Sequence, residues 1–153
     1  MTSWLMAKLC AAGEQLRNQI NLDYPNRSKK SDGWVADQRH LAKGISDHIP
    51  DAKSQIVRAI DVTADLGGHP EDVYALVNSI RRCAKRGDKR IKYLIFDAKI
   101  ASPILNWRWR KYRGDNPHRA HFHCSFSTKG DFDGSPFDLE GKTNESKATA
   151  EIA

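Results

Sequence analysis

The stretch that decides the fold is HFHCSFS, residues 121–127, in which polar and apolar side chains alternate. Because successive side chains of a β-strand point to opposite faces of a sheet, this alternation predicts a strand with two unlike faces. Phe122, Cys124 and Phe126 share the apolar face, which we expect to contact the core. His121 and His123 share the other face, where they form a pair suited to metal binding or proton transfer.

The rest of the chain supplies partners for this strand. Apolar residues at helical spacing predict two amphipathic helices, and short β-prone runs predict three further strands. The segment WRWRKYRGDNPH, residues 107–118, is interpreted as an aromatic and basic loop or edge segment. The predicted helices span residues 3–21 and 71–86, with a short helix at 34–43. The predicted strands span 57–63, 91–96 and 99–102, and the strand at 91–96 is expected at the centre of the sheet. Together they indicate an α+β domain with a small, mostly antiparallel sheet flanked by helices.

Length and composition limit the class of protein. The chain has 153 residues, 39% of them hydrophobic, which fits one domain. We expect a domain over residues 1–140 with its core at about 31–127, followed by a flexible tail at 141–153. No apolar run reaches the ~20 residues of a membrane span, and the first residues lack the pattern of a secretory signal. We therefore expect no membrane span and synthesis in the cytoplasm.

Charge and cysteine content narrow the possible partners. The net charge is +6, with six histidines counted as neutral. Such a charge favours binding to nucleic acid, to an acidic membrane or to an anionic cell-wall polymer; alternatively, it only increases solubility. The three cysteines are isolated along the sequence, so neither a disulfide framework nor a Cys₄ zinc ribbon is expected.

A second cluster of polar residues lies at Ser46-Asp47-His48 and at Asp61. Asp61 interrupts an apolar strand, and a half-buried carboxylate requires either a salt bridge or another cation nearby. Together with His48 and His123, it forms a set of two imidazoles and one carboxylate with a fourth position left open. This is the ligand set of a catalytic zinc site. His121 would lie beside the metal, and His118 could assist it.

These motifs resemble the LAS-type zinc peptidases of the M15 group, which have the hedgehog/DD-peptidase fold and include many phage endolysins that cleave peptidoglycan. Ser46, His48 and Asp61 match the S-x-H…D pattern of that family, and the late H-x-H pattern is matched at 121–123. The resemblance covers roughly residues 31–127. It implies that Zn²⁺ is bound by His48, Asp61 and His123 and that His121 is catalytic. His118 matches an additional active-site histidine of one branch.

The chain departs from this family in two places. Asp61 follows His48 by thirteen residues (48 to 61), whereas typical members have an interval of seven. Ala120 occupies the position where other branches place a glutamate as general base. In this chain His121 would take that role, as in the H-x-H branch.

Four residues are candidates for binding substrate. Ser46 either binds a substrate carboxylate or caps a local turn, and Arg58 either pairs with Asp65 or holds an anionic stem peptide. Trp109 and Tyr112 would line a glycopeptide groove; alternatively, the same aromatic and basic segment clamps nucleic acid, or its tryptophans pack on the core.

Two lone histidines, His40 and His69, are expected to have surface or hydrogen-bonding roles. His40 lies eight residues before His48, and His69 lies 21 residues after it.

The function expected from the sequence is therefore a monomeric zinc metallopeptidase that cleaves stem or cross-link peptides of bacterial peptidoglycan. L-Ala–D-Glu, D-Ala–meso-diaminopimelate and D-Ala–D-Ala bonds all fit this class. Such a phage endolysin is made in the host cytoplasm and reaches the wall after release. The alternatives are a basic nucleic-acid-binding protein or metal-dependent nuclease, and a non-catalytic zinc-containing module of the same fold.

Overall fold

A computed structural model describes residues 6–36 and 46–140. In this part of the chain, two α-helices accompany a five-stranded antiparallel sheet and a two-stranded parallel sheet. The elements are β1 (Lys8–Leu9), α1 (Ala11–Asp23), β2 (Ile56–Val57), β3 (Ala59–Thr63), α2 (Asp72–Lys85), β4 (Ile91–Phe96), β5 (Lys99–Ala101), β6 (Arg110–Lys111), β7 (His121–Phe126) and a 3₁₀ turn (Thr128–Gly130). The predicted α+β class with a small antiparallel sheet is confirmed.

The order of strands in the large sheet is β3-β7-β4-β5-β6, so β4 is the middle strand, as predicted. The strand β7 lies between β3 and β4 and pairs with both in antiparallel orientation. In this register His123 lies opposite Asp61 on one side and opposite Ile95 on the other. The pairing therefore brings Asp61 and His123, which are far apart in sequence, to the same point of the sheet.

One face of the sheet forms the core. Phe122, Cys124 and Phe126 are at most 1% exposed and belong to one apolar cluster with side chains of both helices. Leu16 and Ile20 come from α1, and α2 contributes a longer apolar stripe: Val73, Leu76, Val77 and Ile80. Because the helices pack against this face, the histidine face of β7 is left to the connecting segments. The predicted division of β7 into two faces is thus confirmed.

The predicted helix at 3–21 begins too early. It starts at Ala11, after Cys10, whose thiol accepts a hydrogen bond from the backbone N–H of Gly13. The preceding residues form β1, which pairs in parallel with β2. Strand pairing with a distant segment has overridden the local helical pattern here.

Two other predicted elements need correction. The predicted strand at 57–63 is interrupted at Arg58, because the chain leaves the small sheet there and enters the large one. Of the short helix predicted at 34–43, residues 34–36 are not helical, and 37–43 lie outside the described residues.

The core extends beyond the expected limits of 31–127. Leu16 and Ile20 precede those limits, and Phe137 and Leu139 follow them, yet all four are at most 2% exposed. The guanidinium of Arg90 lies 3.9 Å from the centre of the Phe137 ring. The expected tail, 141–153, lies outside the described residues. Among the residues described, no helix is both long and apolar enough to cross a membrane.

Candidate metal centre

Three segments position the candidate ligands on the open face of the sheet. Asp61 and His123 are neighbours across β3 and β7. Gly33 pairs with Asp61 through two backbone hydrogen bonds, and the N–H of Ala36 donates to the carbonyl of His48. These bonds tie the segment around His48 to β3. A histidine and an aspartate from separate segments are therefore held beside the strand that carries His123.

The donor atoms of these residues lie at the spacing that one metal ion requires. His48 Nε2 is 3.2 Å from His123 Nδ1 and 3.3 Å from Asp61 Oδ2, and His123 Nδ1 is 3.1 Å from Asp61 Oδ1. A tetrahedral ion with bonds of about 2.0–2.1 Å would place its ligand atoms about 3.3–3.4 Å apart. Both histidines are only 5% exposed. The cluster is therefore able to bind a metal ion with little rearrangement.

The outer hydrogen bonds fix which nitrogen of each imidazole carries a proton. His48 Nδ1 lies 2.8 Å from the carbonyl oxygen of Trp34, which can only accept, so Nδ1 carries the proton. His123 Nε2 lies 2.6 Å from Ser125 Oγ, whose own proton is donated to Asp47 at 2.8 Å. Ser125 therefore accepts from His123 Nε2. In both neutral imidazoles the inward nitrogen presents a lone pair.

Three lone-pair donors consequently face one another in a buried site. A proton or a metal ion must lie among them, because acceptors at this distance otherwise repel. Burial alone would raise the pKa of Asp61, but its close contacts with the imidazoles of His123 and His48 hold it well below its usual range. Burial lowers the pKa of His123. Burial also opposes charge on His48, yet the Asp61 carboxylate outweighs this and raises its pKa. A metal ion would thus compete with a proton for the inward nitrogen of His48.

A cleft of about 450 Å³ opens over this cluster. His121 and His118 lie in it, with His121 Nε2 at 3.6 Å from Asp61 Oδ2 and the two rings 5.1 Å apart. Burial lowers the pKa of His118 to about 4, so its imidazole is neutral at neutral pH. The remaining lining includes two of the predicted substrate-binding residues, Ser46 and Tyr112, together with Asp47, Tyr93, Ile95, Gly114, Asp115 and Asn116.

Ser46 has the turn-capping role that the sequence allowed. Its Oγ accepts a hydrogen bond of 3.1 Å from the backbone N–H of His48. Since Ser46 also lines the cleft, the same hydroxyl fixes the backbone of one ligand and faces the space where a substrate would lie.

Two other predicted substrate-binding residues are not brought to the cleft. Arg58 forms a bidentate ion pair with Asp131, at 2.6 and 2.7 Å, and also contacts Asp51 at 3.1 Å. The expected pairing of Arg58 with Asp65 is therefore wrong. Because the guanidinium pairs with these carboxylates, it links the region of β2 and β3 to the segment that follows β7.

Trp109 lies at the sheet edge. Its indole N–H donates to Asn78 Oδ1 at 2.8 Å, and its ring packs against the core cluster. The neighbouring Trp107 is only 6% exposed. The alternative in which these tryptophans pack on the core is the one observed, with Trp107 buried and Trp109 partly buried.

The sequence interpretation missed the residues that orient His123. Ser125 and Asp47 form a hydrogen-bonded relay behind it, and Tyr93 and Lys92 also contact the Asp47 carboxylate. Burial opposes ionisation of Asp47, but these contacts lower its pKa. Ser125 could have been found, since it shares the strand face of His121 and His123. The carbonyl of Trp34 could not, because backbone groups leave no sequence signal.

Of the two lone histidines, His69 lies apart from the cluster. His69 is exposed, and its backbone N–H donates a hydrogen bond to Asp72, whereas His40 lies outside the described residues.

Comparison of the whole chain with family models, with curated proteins and with solved structures finds no match.

Proposed function

We propose that this protein is a zinc-dependent peptidase that hydrolyses peptide bonds in the stem or cross-link peptides of bacterial peptidoglycan. It would be an LAS-type, M15-like enzyme with the hedgehog/DD-peptidase fold, resembling small phage endolysins. The observation that carries the proposal is the convergence of three lone-pair donors, from His48, Asp61 and His123, at 3.1–3.3 Å in a buried site beneath an open cleft.

Zinc is the metal that this donor set favours. Two imidazole nitrogens and one carboxylate oxygen leave a fourth position on the cleft side, as in catalytic rather than structural zinc sites. The relay from His123 through Ser125 to Asp47 is the kind of outer hydrogen bonding that orients zinc-binding histidines. When bound, Zn²⁺ would polarise a carbonyl group and lower the pKa of a water molecule.

The residues around this centre supply the rest of the chemistry. His121 is close enough to the centre to exchange a proton with a reacting group in the cleft. Because its ring is half-buried, it remains accessible from the cleft. The neutral His118 beside it can accept a hydrogen bond from substrate through Nε2, because its Nδ1 donates to the carbonyl of Asn116. Ser46 and Tyr112 lie on the cleft walls, where a peptide would contact them.

Peptidoglycan is the substrate that the motif resemblance implies, and the basic charge supports it. A net charge of +6 favours approach to an anionic cell wall. The L-Ala–D-Glu, D-Ala–meso-diaminopimelate and D-Ala–D-Ala bonds remain equal candidates. As a phage product, the protein would be made in the host cytoplasm and act on the wall after release, as a monomer.

The test is digestion of purified peptidoglycan, followed by mass spectrometry of the released fragments, with and without a chelator. We expect new peptide termini that disappear with chelator and return on addition of Zn²⁺. His123→Ala should release none, while the control His69→Ala, at an exposed position outside the cleft, should match the wild type. Fragments that persist in chelator, or none from the zinc-loaded protein, would contradict the proposal.

The same experiment addresses the alternatives. Zinc binding without any turnover would identify a non-catalytic module. For the nucleic-acid alternative, stacking on Trp107 is disfavoured because its ring is buried.

A further inference from the structure

A second group of potential ligands adjoins the first. Asp61, His118 and His121 each offer one donor atom, and these atoms lie within 4.8 Å of one another. Asp61 is common to both groups. Its Oδ1 faces His123 at 3.1 Å, and its Oδ2 lies 3.6 Å from His121 Nε2. Oδ2 also lies 3.3 Å from His48 Nε2, so this oxygen stands between the two groups of imidazoles.

We propose that the cleft contains a second, weaker divalent-metal site formed by Asp61, His118 and His121, with Asp61 bridging the two ions. If Oδ1 serves the inner ion together with His48 and His123, Oδ2 remains for the outer one. Bridging carboxylates of this kind occur in two-metal sites whose ions are about 3.5–4 Å apart.

The tautomer of His118 fits this role. Its Nδ1 lies 2.7 Å from the carbonyl oxygen of Asn116, so the proton is on Nδ1 and Nε2 carries the lone pair. This is the same arrangement that fixes His48 through the carbonyl of Trp34. A backbone carbonyl that orients an imidazole is a recurring feature of metal-binding histidines.

The spacing of the donors indicates which site is weaker. The inner donors are 3.1–3.3 Å apart. In the outer group, His121 Nε2 lies 3.6 Å from Asp61 Oδ2, and the centres of the His118 and His121 rings are 5.1 Å apart. Ligation at the outer site therefore requires His118 and His121 to move toward Asp61. Both residues are half-buried at the cleft surface, so such a movement does not disturb the core. The outer ion should bind with lower affinity and from the open cleft.

The consequence for activity rests on the proposed function. An outer ion would occupy His121, the residue to which proton transfer is assigned, and would fill the space intended for substrate. Zinc in excess of one equivalent should then inhibit hydrolysis.

The test is the stoichiometry of Zn²⁺ alone, which does not depend on any substrate. Calorimetric titration of the metal-free full chain, with metal analysis after dialysis at graded zinc concentrations, should give two ions per chain, one tight and one weaker. His118→Ala and His121→Ala should each bind one ion with the tight affinity retained. His69→Ala is the matched control and should still bind two, and circular dichroism would establish that each variant is folded.

Two results would overturn the inference. One is a wild-type protein that binds a single ion. The other is a second ion that survives both His118→Ala and His121→Ala, because it would then lie elsewhere. Two ions without hydrolysis of peptidoglycan would support the inference while contradicting the proposed function, so the two failures are distinguishable.

Discussion

Removal of the Ser125 hydroxyl tests whether the relay behind His123 prepares the metal centre. In the wild type this hydroxyl accepts from His123 Nε2 at 2.6 Å and donates to Asp47 at 2.8 Å, and Ser125 is fully buried. In Ser125→Ala, the imidazole loses the acceptor that holds its proton on Nε2. The proton can then move to Nδ1, the nitrogen that faces the metal.

The expected magnitude follows from these contacts. Loss of an outer hydrogen bond to a metal ligand typically weakens metal binding by about 10–100-fold. That factor corresponds to about 1.4–2.7 kcal/mol. The buried N–H left without an acceptor should also lower the free energy of unfolding of the metal-free protein by about 1–3 kcal/mol. Asp47 should remain ionised, because Lys92 still contacts it at 3.3 Å.

Competition with a chromophoric zinc chelator at fixed pH measures the affinity, and urea denaturation measures the stability. Ser79→Ala is the matched control, since the Ser79 hydroxyl is buried in α2 and has no hydrogen-bond partner among the described residues. It should leave zinc affinity unchanged. A Ser125→Ala variant that binds zinc within twofold of the wild type would refute the assigned role of the relay.

Four further changes have expected outcomes. Asp61→Ala should lose most bound metal on elemental analysis, because two imidazoles alone hold zinc poorly in this site; full occupancy would remove Asp61 from it. Asp32→Asn should lower the unfolding free energy by about 1.5–3 kcal/mol at pH 7, since the carboxylate forms a bidentate pair with the buried Arg27. Despite burial, hydrogen bonds from Arg27 lower the pKa of Asp32 in the folded protein. The stabilisation is therefore present above the unfolded pKa of about 3.9 and is lost as pH falls through the folded pKa. If urea denaturation gives the same loss of unfolding free energy for Asp32→Asn at pH 3 as at pH 7, this reasoning is contradicted. Phe137→Ala should lower the free energy of unfolding by about 3–5 kcal/mol, because the ring is fully buried. Truncation after Glu140 should leave the thermal stability of the protein unchanged.

The elements that surround the site were predictable where a strong local pattern agreed with the tertiary structure. The alternation in β7 identifies its core face and its histidine face, and the stripe on α2 identifies a helix that covers the core. Asp61 stands out because a carboxylate interrupts an apolar strand. These signals depend only on the period of the side chains, which the sequence contains.

Other features depend on contacts between distant segments, which no local pattern records. The pairing of Lys8–Leu9 with Ile56–Val57 converts the start of a helical pattern into a strand. Arg58 was misassigned because its partners, Asp131 and Asp51, become close only in the fold. The burial of Phe137 likewise arises from its packing under Arg90. In each case the deciding energy comes from tertiary contacts and not from propensity.

The most direct test of the central claim compares His121→Ala with His123→Ala, each loaded with one equivalent of Zn²⁺. Metal content after dialysis and the rate of peptidoglycan hydrolysis are measured in parallel. The account predicts that His121→Ala retains its zinc and its fold but loses about 10²–10⁴-fold in rate, because it lacks a proton-transfer group. His123→Ala should lose both metal and activity. Zinc lost from His121→Ala but kept in His123→Ala would contradict the account.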